Sequence, residues 1–272
     1  RNVQAHYDLG NAFYGLWLDE GMTYSSAWFD GDLAQPLARA QDAKLRRAIA
    51  ATGVRPGQRL LEIGCGWGSL AEAAARAGMD VVGVTLSDEQ LAWARARLAR
   101  AGLAQRAELR LQDYRDVPDG PFDAIVSIEM FEAVGRAYWD AWFAAVRRLL
   151  KPDGKACIQA IVIRDDLFER YARSADFIQR HVFPGGMLAS ATLFERHASA
   201  AGLRVVERFA FGHDYAETLR RWRHAFLAQL DEVRRQGFDE RFVRLWEFYL
   251  AYCEAAFDTG NTDVVQFTLQ RD

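Results

Sequence analysis

The sequence predicts a doubly wound α/β fold, one seven-stranded and mostly parallel sheet with helices on both faces. Three observations predict it. From about residue 58, short apolar or β-branched runs alternate with helical stretches. A glycine-rich turn, Gly64-Cys65-Gly66-Trp67-Gly68, joins the first such run to the first of those helices. Gly78 and Gly102 stand where the next two helices should stop, the place where a left-handed residue ends a helix at least cost. Strand and helix in alternation require parallel neighbours and right-handed crossovers.

The elements follow in order. Residues 5–52 carry many aromatics, among them Tyr7, Phe13, Tyr14, Trp17, Tyr24, Trp28 and Phe29, and predict helices and turns. Strands are expected at Arg59–Ile63, Val81–Leu86, Glu108–Gln112 and Phe122–Ile128, with helices Ser69–Ala77 and Asp88–Arg100 between them. A helix over Trp139–Leu150 ends at the turn Lys151-Pro152-Asp153-Gly154. A strand Lys155–Ile163 follows, and residues 166–200 are mixed, interrupted by Pro184-Gly185-Gly186. The last third predicts a strand Arg204–Phe211, helices Tyr215–Arg235 and Asp239–Phe257, and a closing strand Val264–Leu269. Phe242, Trp246, Tyr249, Cys253 and Phe257 recur at helical spacing and form one apolar face.

With 272 residues, half of them hydrophobic, the chain can bury one large core. The expected organisation is a single catalytic domain over residues 1–272. Residues 1–52 would form a helical lid, 53–163 the cofactor-binding core, and 164–272 an acyl-binding cap with the C-terminal strands. The chain begins at Arg1 rather than Met, so a further N-terminal region is expected to precede it. A formal net charge of −3 provides no basic field for a polyanion, which argues against nucleic acid. Cys65, Cys157 and Cys253 are odd in number and widely spaced, so neither a disulfide framework nor a metal site is expected, and the cytoplasm is the default compartment. No stretch is long and uncharged enough for a membrane span, and no signal peptide is seen.

The glycine turn defines the chemistry of a ligand site. Glycines let the backbone approach a ligand closely, and the following helix offers free N–H donors. The spacing is Gly-x-Gly-x-Gly rather than the Gly-x-Gly-x-x-Gly of dinucleotide sites, and Glu62 precedes it by two residues. An acid beside Gly64, Cys65, Gly66 and Gly68 suits a cation better than a pyrophosphate. S-adenosylmethionine (SAM), which carries an ammonium and a sulfonium, fits that requirement. The second strand ends at Thr85-Leu86-Ser87, where a nicotinamide enzyme would place an acid. Gln90 can take the ribose hydroxyls, or close a capping box with Ser87. Gln112 and Asp113, at the end of the third strand, are expected near the adenine.

Several segments together resemble the cyclopropane fatty acid and mycolic acid cyclopropane synthases. They are His6-Tyr7-Asp8-Leu9-Gly10-Asn11, Met22-Thr23-Tyr24-Ser25, Glu62–Gly68, Gly83–Ser87, Met130-Phe131-Glu132-Ala133-Val134-Gly135 and Phe183-Pro184-Gly185-Gly186. The resemblance runs from about residue 5 to the C-terminus. It implies a SAM pocket near Tyr24, Ser25, Gly64, Gly66, Thr85, Leu86, Gln90, Gln112 and Asp113, an acyl tunnel, and a bicarbonate ion beside the substrate. In the family that ion contacts a cysteine, a glutamate, a histidine, an isoleucine backbone and a tyrosine. The matching positions are Ser26, Glu132, Gln159, Ile161 and Tyr215, so the cysteine and the histidine are replaced here. The family also carries a cysteine at the position of Cys253, which packing on its helix face explains as well.

The implied reaction alkylates the double bond of an unsaturated phospholipid acyl chain and forms a cyclopropane. An isolated alkene is a weak nucleophile, and methyl transfer to it leaves a carbocation. Aromatic faces stabilise such a cation by about 2 kcal/mol or more in a dry site. A base must then take a proton. Loss from the new methyl closes a ring, and loss from elsewhere leaves a branched chain, which is the alternative product. A small-molecule methyltransferase and a non-catalytic lipid-binding module are the further alternatives. Glu132 is expected as base or anion holder, with Gln159 keeping the anion or that glutamate in place, and a helix-start charge is the bland alternative. Tyr215 can donate its hydroxyl to the same centre. An amide at 159 does not titrate, so the pH profile should lack a histidine contribution. An acyl substrate implies peripheral contact with the inner face of the membrane, for which Arg220, Arg221 and Arg223 beside Trp222 are the candidates. Homodimer formation is left open.

Overall fold

In the computed structural model, which describes residues 9–271, a single sheet runs through the molecule. His6, Tyr7 and Asp8 of the opening signature lie outside the described residues. The strands are β1 (Arg59–Ile63), β2 (Asp80–Thr85), β3 (Ala107–Leu111), β4 (Phe122–Ile128), β5 (Leu150–Ile163), β6 (Ala189–Ser190), β7 (Leu203–Ala210) and β8 (Thr262–Arg271). Their main path is β3-β2-β1-β4-β5-β8-β7. The seven expected strands form that path, and the two-residue β6, not anticipated, pairs in parallel with the end of β5. β1 to β5 are parallel, whereas β8 is antiparallel to both β5 and β7.

Pleating decides which side each strand residue faces. Leu61 and Ile63 join Val82, Val84, Ile125 and Ile158 in one core, under α5 (Trp139–Leu149) and α8 (Ala191–Ala200). Leu60, Val81, Leu109 and Ala124 face the other core, covered by α2 (Leu37–Ala51), α3 (Ser69–Arg76) and α4 (Asp88–Arg100). α4 shows why such segments are helical. Ser87 caps it by accepting from Gln90 N–H, Asp88 and Glu89 occupy its first turn, and Arg97 and Arg100 its last. Gly78 and Gly102 follow their helices with φ of +91° and +70°, as their positions in the sequence predict.

The expected turn at Lys151-Pro152-Asp153-Gly154 lies inside β5 as an irregularity. Phe122 of β4 pairs with Leu150 and Ala124 with Lys155, so the intervening residues loop out of register. The long helix expected over Tyr215–Arg235 is two helices, α9 (Gly212–Ala228) and α10 (Leu230–Arg235). Gln229, with ψ of 17°, breaks it and lets Val233 turn into the core. Residues 166–200 resolve into α6 (Asp165–Ala172), α7 (Phe177–His181), β6 and α8.

A third core lies over the carboxyl ends of the parallel strands. It gathers the short helix α1 (Asn11–Tyr14), α9 and α11 (Glu240–Asp258), with Phe13, Tyr14, Trp17, Trp222, Trp246 and Tyr249 buried. These rings pack mainly edge to face, the geometry their quadrupoles favour. Chain order along the sheet reverses between β1 and β4, and ligands of open α/β sheets bind in the crevice outside the strand ends at such a point. The aromatic core roofs that crevice.

Candidate active site

Two groups of residues meet at the reversal point. The first is the glycine turn after β1. Gly64 and Cys65 N–H both donate to Val84 carbonyl, which folds the turn tightly against β2. Gly64, Gly66 and Gly68 have φ of +86°, +49° and +85°, a region side chains rarely adopt. Close packing also excludes a side chain at two of them. A Cβ on Gly68 would lie 2.8 Å from that of Ala94, and one on Gly64 would touch Met130. Gly66 faces open space.

Glu62, 3% exposed, stands two residues before this turn and accepts from Ala71 N–H in α3, and one oxygen, Oε2, has no hydrogen-bond partner. Burial pushes its pKa well up, opposed by the Ala71 N–H and by Arg97 and Lys44. A buried carboxylate with an open acceptor is a site for a cation, and the donor set fits the ammonium end of SAM. Leu86 and Leu111, at the ends of β2 and β3, are 58% and 49% exposed, apolar walls suited to a flat ring. Thr85 donates to Gln90 Oε1, so the Gln90 side chain does not reach back to close a capping box, although the Ser87 cap itself forms. Cys65 is buried, and its thiol is pushed well up by burial and by Glu62. Gln112 donates to Asp116 carbonyl and keeps a buried, unpartnered Oε1. Asp113 is held by Arg115 at 2.7 Å and caps the following turn.

The second group surrounds two carboxylates just beyond β4. Glu129 is the residue after the strand ends, and its φ of +50° is unusual for a side chain. Its N–H pairs with Gln159 carbonyl on β5. Its Oε1 accepts from Ser26 N–H at 2.9 Å and from the Gln159 amide at 2.7 Å. Its Oε2 accepts from the Tyr215 hydroxyl at 2.6 Å. Thus Ser26, Gln159 and Tyr215, three positions that the resemblance assigns to an exchangeable anion, donate to a carboxylate of the chain itself. The expectation that Gln159 holds Glu132 is corrected, since its amide goes to Glu129. Tyr215 accordingly has its phenol pushed well up by burial and by Glu129. The Ser26 hydroxyl turns away to Ala27 carbonyl.

Glu132 lies on the next turn and accepts from Ile161 N–H, while its Oε2 is buried without a partner. Burial and the neighbouring Glu129 push its pKa up to about 8. Burial also raises Glu129, but Lys44, Tyr215, Ser26 and Gln159 all act to lower it. Three side-chain and backbone donors and a buried lysine favour charge on Glu129, whereas Glu132 has only the backbone N–H groups of Ile161 and of itself, so within the pair the proton is favoured on Glu132. Lys44 is wholly buried and donates to the Ser25 hydroxyl. Burial pulls its pKa down to about 8, against the pull of Glu129, Asp19 and Glu62. Gln41 holds the carbonyl of Ser25 at 2.8 Å, so α2 clamps the segment that leads into Ser26.

Both carboxylates open into a cavity of about 660 Å³. Tyr24, Tyr215, Tyr249 and Cys253 line it, together with Leu167, Ile178, Phe183 and Met187. Tyr24 and Tyr249 share a hydroxyl–hydroxyl bond of 2.8 Å. The Cys253 thiol is pushed up to about 12 by burial and so is un-ionised at neutral pH.

The structure brings together Ser26, Gln159 and Tyr215 around Glu129, and Ile161 with Glu132. Sequence reasoning missed Glu129, Lys44 and Gln266. A carboxylate directly after a strand whose next residues are Met130-Phe131-Glu132 was the available signal for Glu129. The arginines expected at a membrane do not form a free patch. Arg220 pairs with Glu217, Glu254 and Asp258, Arg221 with Glu217, and Arg223 with Glu254, and Trp222 is fully buried.

Known proteins resemble this arrangement along the whole chain. The family model described as mycolic acid cyclopropane synthetase matches residues 1–267. Tuberculostearic acid methyltransferase UfaA1 of Mycobacterium tuberculosis is 45% identical over 100% of this chain and 65% of its own length. The cyclopropane-fatty-acyl-phospholipid synthase of Escherichia coli K12 is 38% identical over 98% of this chain and 66% of its own. The chain therefore spans about two thirds of the length of these curated relatives. The mycolic acid cyclopropane synthase CmaA1, solved in complex with SAH and CTAB, superposes with a TM-score of 0.92 at 35% identity, covering 99% of this chain and 97% of that one. With the methyltransferase fold, the glycine turn and the paired carboxylates in place, the chain belongs to the mycolic acid cyclopropane synthetase family.

Proposed function

We propose that the protein transfers a methyl group from SAM to the double bond of an unsaturated acyl chain of a membrane phospholipid, and that Glu129 removes the proton that ends the reaction. The observation that carries this is a carboxylate, held by three donors, lining a cavity walled by tyrosines and aliphatic side chains.

Glu62 and the Gly64–Gly68 turn hold the cofactor, which supplies an electrophilic methyl. The alkene π pair forms the new C–C bond and leaves the positive charge on the neighbouring chain carbon. Tyr24, Tyr215 and Tyr249 present aromatic walls to that charge. Glu129 adds a full negative charge in a site of low dielectric. The proton passes to a Glu129 oxygen. If it leaves the new methyl while that C–H pair closes on the cation, the product is a cyclopropane. If it leaves an adjacent chain carbon, or leaves the methyl after a 1,2-hydride shift, the product is branched.

Likeness to cyclopropane synthases supports the cyclopropane reading. A branched product is the second reading, favoured by Glu129 in the place of an exchangeable anion and by the 45% likeness to a tuberculostearic acid methyltransferase. Mass spectrometry of lipids made with trideuteriomethyl SAM tests all of this. A methyl-branched alkene keeps three deuteriums, whereas a cyclopropane or a methylene branch keeps two, and mild hydrogenation reduces only the methylene. Lipids without added deuterium would overturn the proposal.

The acyl substrate draws the protein to a bilayer. No helix among the described residues is long and apolar enough to cross one. Phe177, Phe248 and Tyr252 form an aromatic group beside the cavity, with Phe248 52% exposed. Arg170 and Tyr252 line the cavity itself. This face, with Arg173 and Arg180, replaces the α9 arginines as the proposed contact.

A further inference from the structure

Behind Glu129 runs a chain of hydrogen bonds whose direction is set from both ends. Gln159 on β5 and Gln266 on β8 are directly opposite partners in the antiparallel pair, and both are 0% exposed. Gln266 Nε2 donates to Gln159 Oε1 at 3.1 Å and to Lys44 carbonyl at 3.3 Å. Gln266 Oε1 accepts from Arg47 at 2.7 Å. Arg47 is 15% exposed, pairs with Glu207 at 2.8 Å and lies 3.5 Å over the Phe209 ring. The far end is the 2.7 Å bond from Gln159 to Glu129.

A guanidinium only donates, and an ionised carboxylate only accepts. An amide can present either end, and the network around it selects which. Arg47 requires the oxygen of Gln266, so the nitrogen of Gln266 faces Lys44 carbonyl and Gln159. Gln159 must then offer its oxygen to Gln266 and its nitrogen to Glu129. Reversing one amide leaves two donors or two acceptors face to face in a dry interior, which costs about 1–3 kcal/mol for each unsatisfied group.

We propose that Gln266, with Arg47 behind it, is a positioning residue that locks the Gln159 amide with its nitrogen toward Glu129 and so keeps the base ionised. The chain favours the charged carboxylate: Oε1 already accepts from the Gln159 amide and Ser26 N–H, so a proton on Glu129 would have to sit on Oε2 and turn the Tyr215 hydroxyl from donor to acceptor. The other groups facing Glu129 are Lys44 from α2, Tyr215 from α9 and Glu132 from its own loop. Tyr24 and Tyr249 stand behind Tyr215. None of these holds the amide, so none substitutes for Gln266. A histidine at position 159 would itself titrate; a glutamine pair fixes polarity without doing so.

This inference rests on Glu129 being the base, which Glu129→Gln tests separately. The experiment here is the pH profile of kcat/KM for the full chain carrying Gln266→Glu or Gln266→Leu, with melting temperature and SAM affinity measured alongside. Gln266→Glu still accepts from Arg47 but cannot donate to Gln159, so the amide turns its oxygen to Glu129. The acid limb of the profile should then move upward, with kcat/KM at pH 6 falling at least about tenfold relative to wild type and recovering above pH 8.5. Gln266→Leu removes the lock without imposing the reversed amide and should move the limb in the same direction by less. A uniform loss at every pH with the limb in place would mean that Gln266 only packs, and would overturn the proposal. So would an unchanged profile in a folded Gln266→Leu variant, which keeps the test open if Gln266→Glu does not fold.

Discussion

Replacing Glu129 by glutamine should separate its chemistry from its packing. The amide is nearly isosteric and keeps one acceptor, but it loses the charge and turns an NH₂ toward one of the three donors. Ser26 N–H, the Gln159 amide and the Tyr215 hydroxyl converge at 2.6–2.9 Å. Bonds to a charged partner are worth about 1.5–3 kcal/mol each, so the local arrangement should loosen as well. Loss of a positioned general base slows a reaction by about 10²–10⁴, or about 3–5.5 kcal/mol of barrier. SAM affinity should change little, because Glu62 and the glycine turn are the proposed site for it. Release of S-adenosylhomocysteine under saturating substrate measures the rate, and calorimetry the affinity. Glu129→Gly adds a positive arm. It leaves three donors converging where a small oxyanion fits, so formate or bicarbonate should restore part of the rate, while the wild-type rate should not respond to them. A Glu129→Gln rate within about threefold of wild type, with SAM bound normally, would refute the assignment.

Other outcomes follow from the same geometry. Glu132 has a folded pKa of about 8 against an ordinary 4.5, so between those values the unfolded chain has released a proton that the folded one keeps. Stability therefore falls as pH rises through that window, by at most about 5 kcal/mol. Glu132→Gln should raise the melting temperature more at pH 8 than at pH 5, and an equal gain at both would contradict the buried, protonated state. Gly66→Trp should abolish SAM binding by calorimetry, because its φ of +49° resists a side chain and the open space beside it is the proposed ligand site; unchanged affinity would count against the turn. Cys253→Ala should keep near-normal turnover, since its thiol sits near pKa 12; a 100-fold loss would make the thiol part of the chemistry. In vesicle sedimentation, Phe248→Asp should weaken pelleting with anionic vesicles, whereas Arg220→Ala should not, because Arg220 is already paired with Glu217, Glu254 and Asp258. The opposite pattern would return the contact to α9.

Much of the fold was legible in the amino-acid order because its signals are local. Strand–helix alternation, Ser87 before an amphipathic run and Gly78 and Gly102 after two helices act within a few residues of where they stand. The predicted strands β1 and β4 and the helix Asp88–Arg100 agree residue for residue with the structure. The glycine turn was legible for the same reason, as backbone conformation there depends on the glycines themselves. Where local signals competed with packing they failed. Nothing in Gln229 marks the break between α9 and α10, which forms so that Val233 can be buried.

The carboxylate centre belongs to tertiary structure. Ser26 lies 103 residues from Glu129, Gln159 lies 30 away and Tyr215 lies 86 away. A carboxylate's role depends on who donates to it, and donors arrive from α9, β5 and the segment clamped by α2. Sequence position put Glu129 and Glu132 three residues apart as equals. The fold set them apart, by giving three hydrogen bonds and a buried lysine to the first and only the backbone N–H groups of Ile161 and of its own residue to the second.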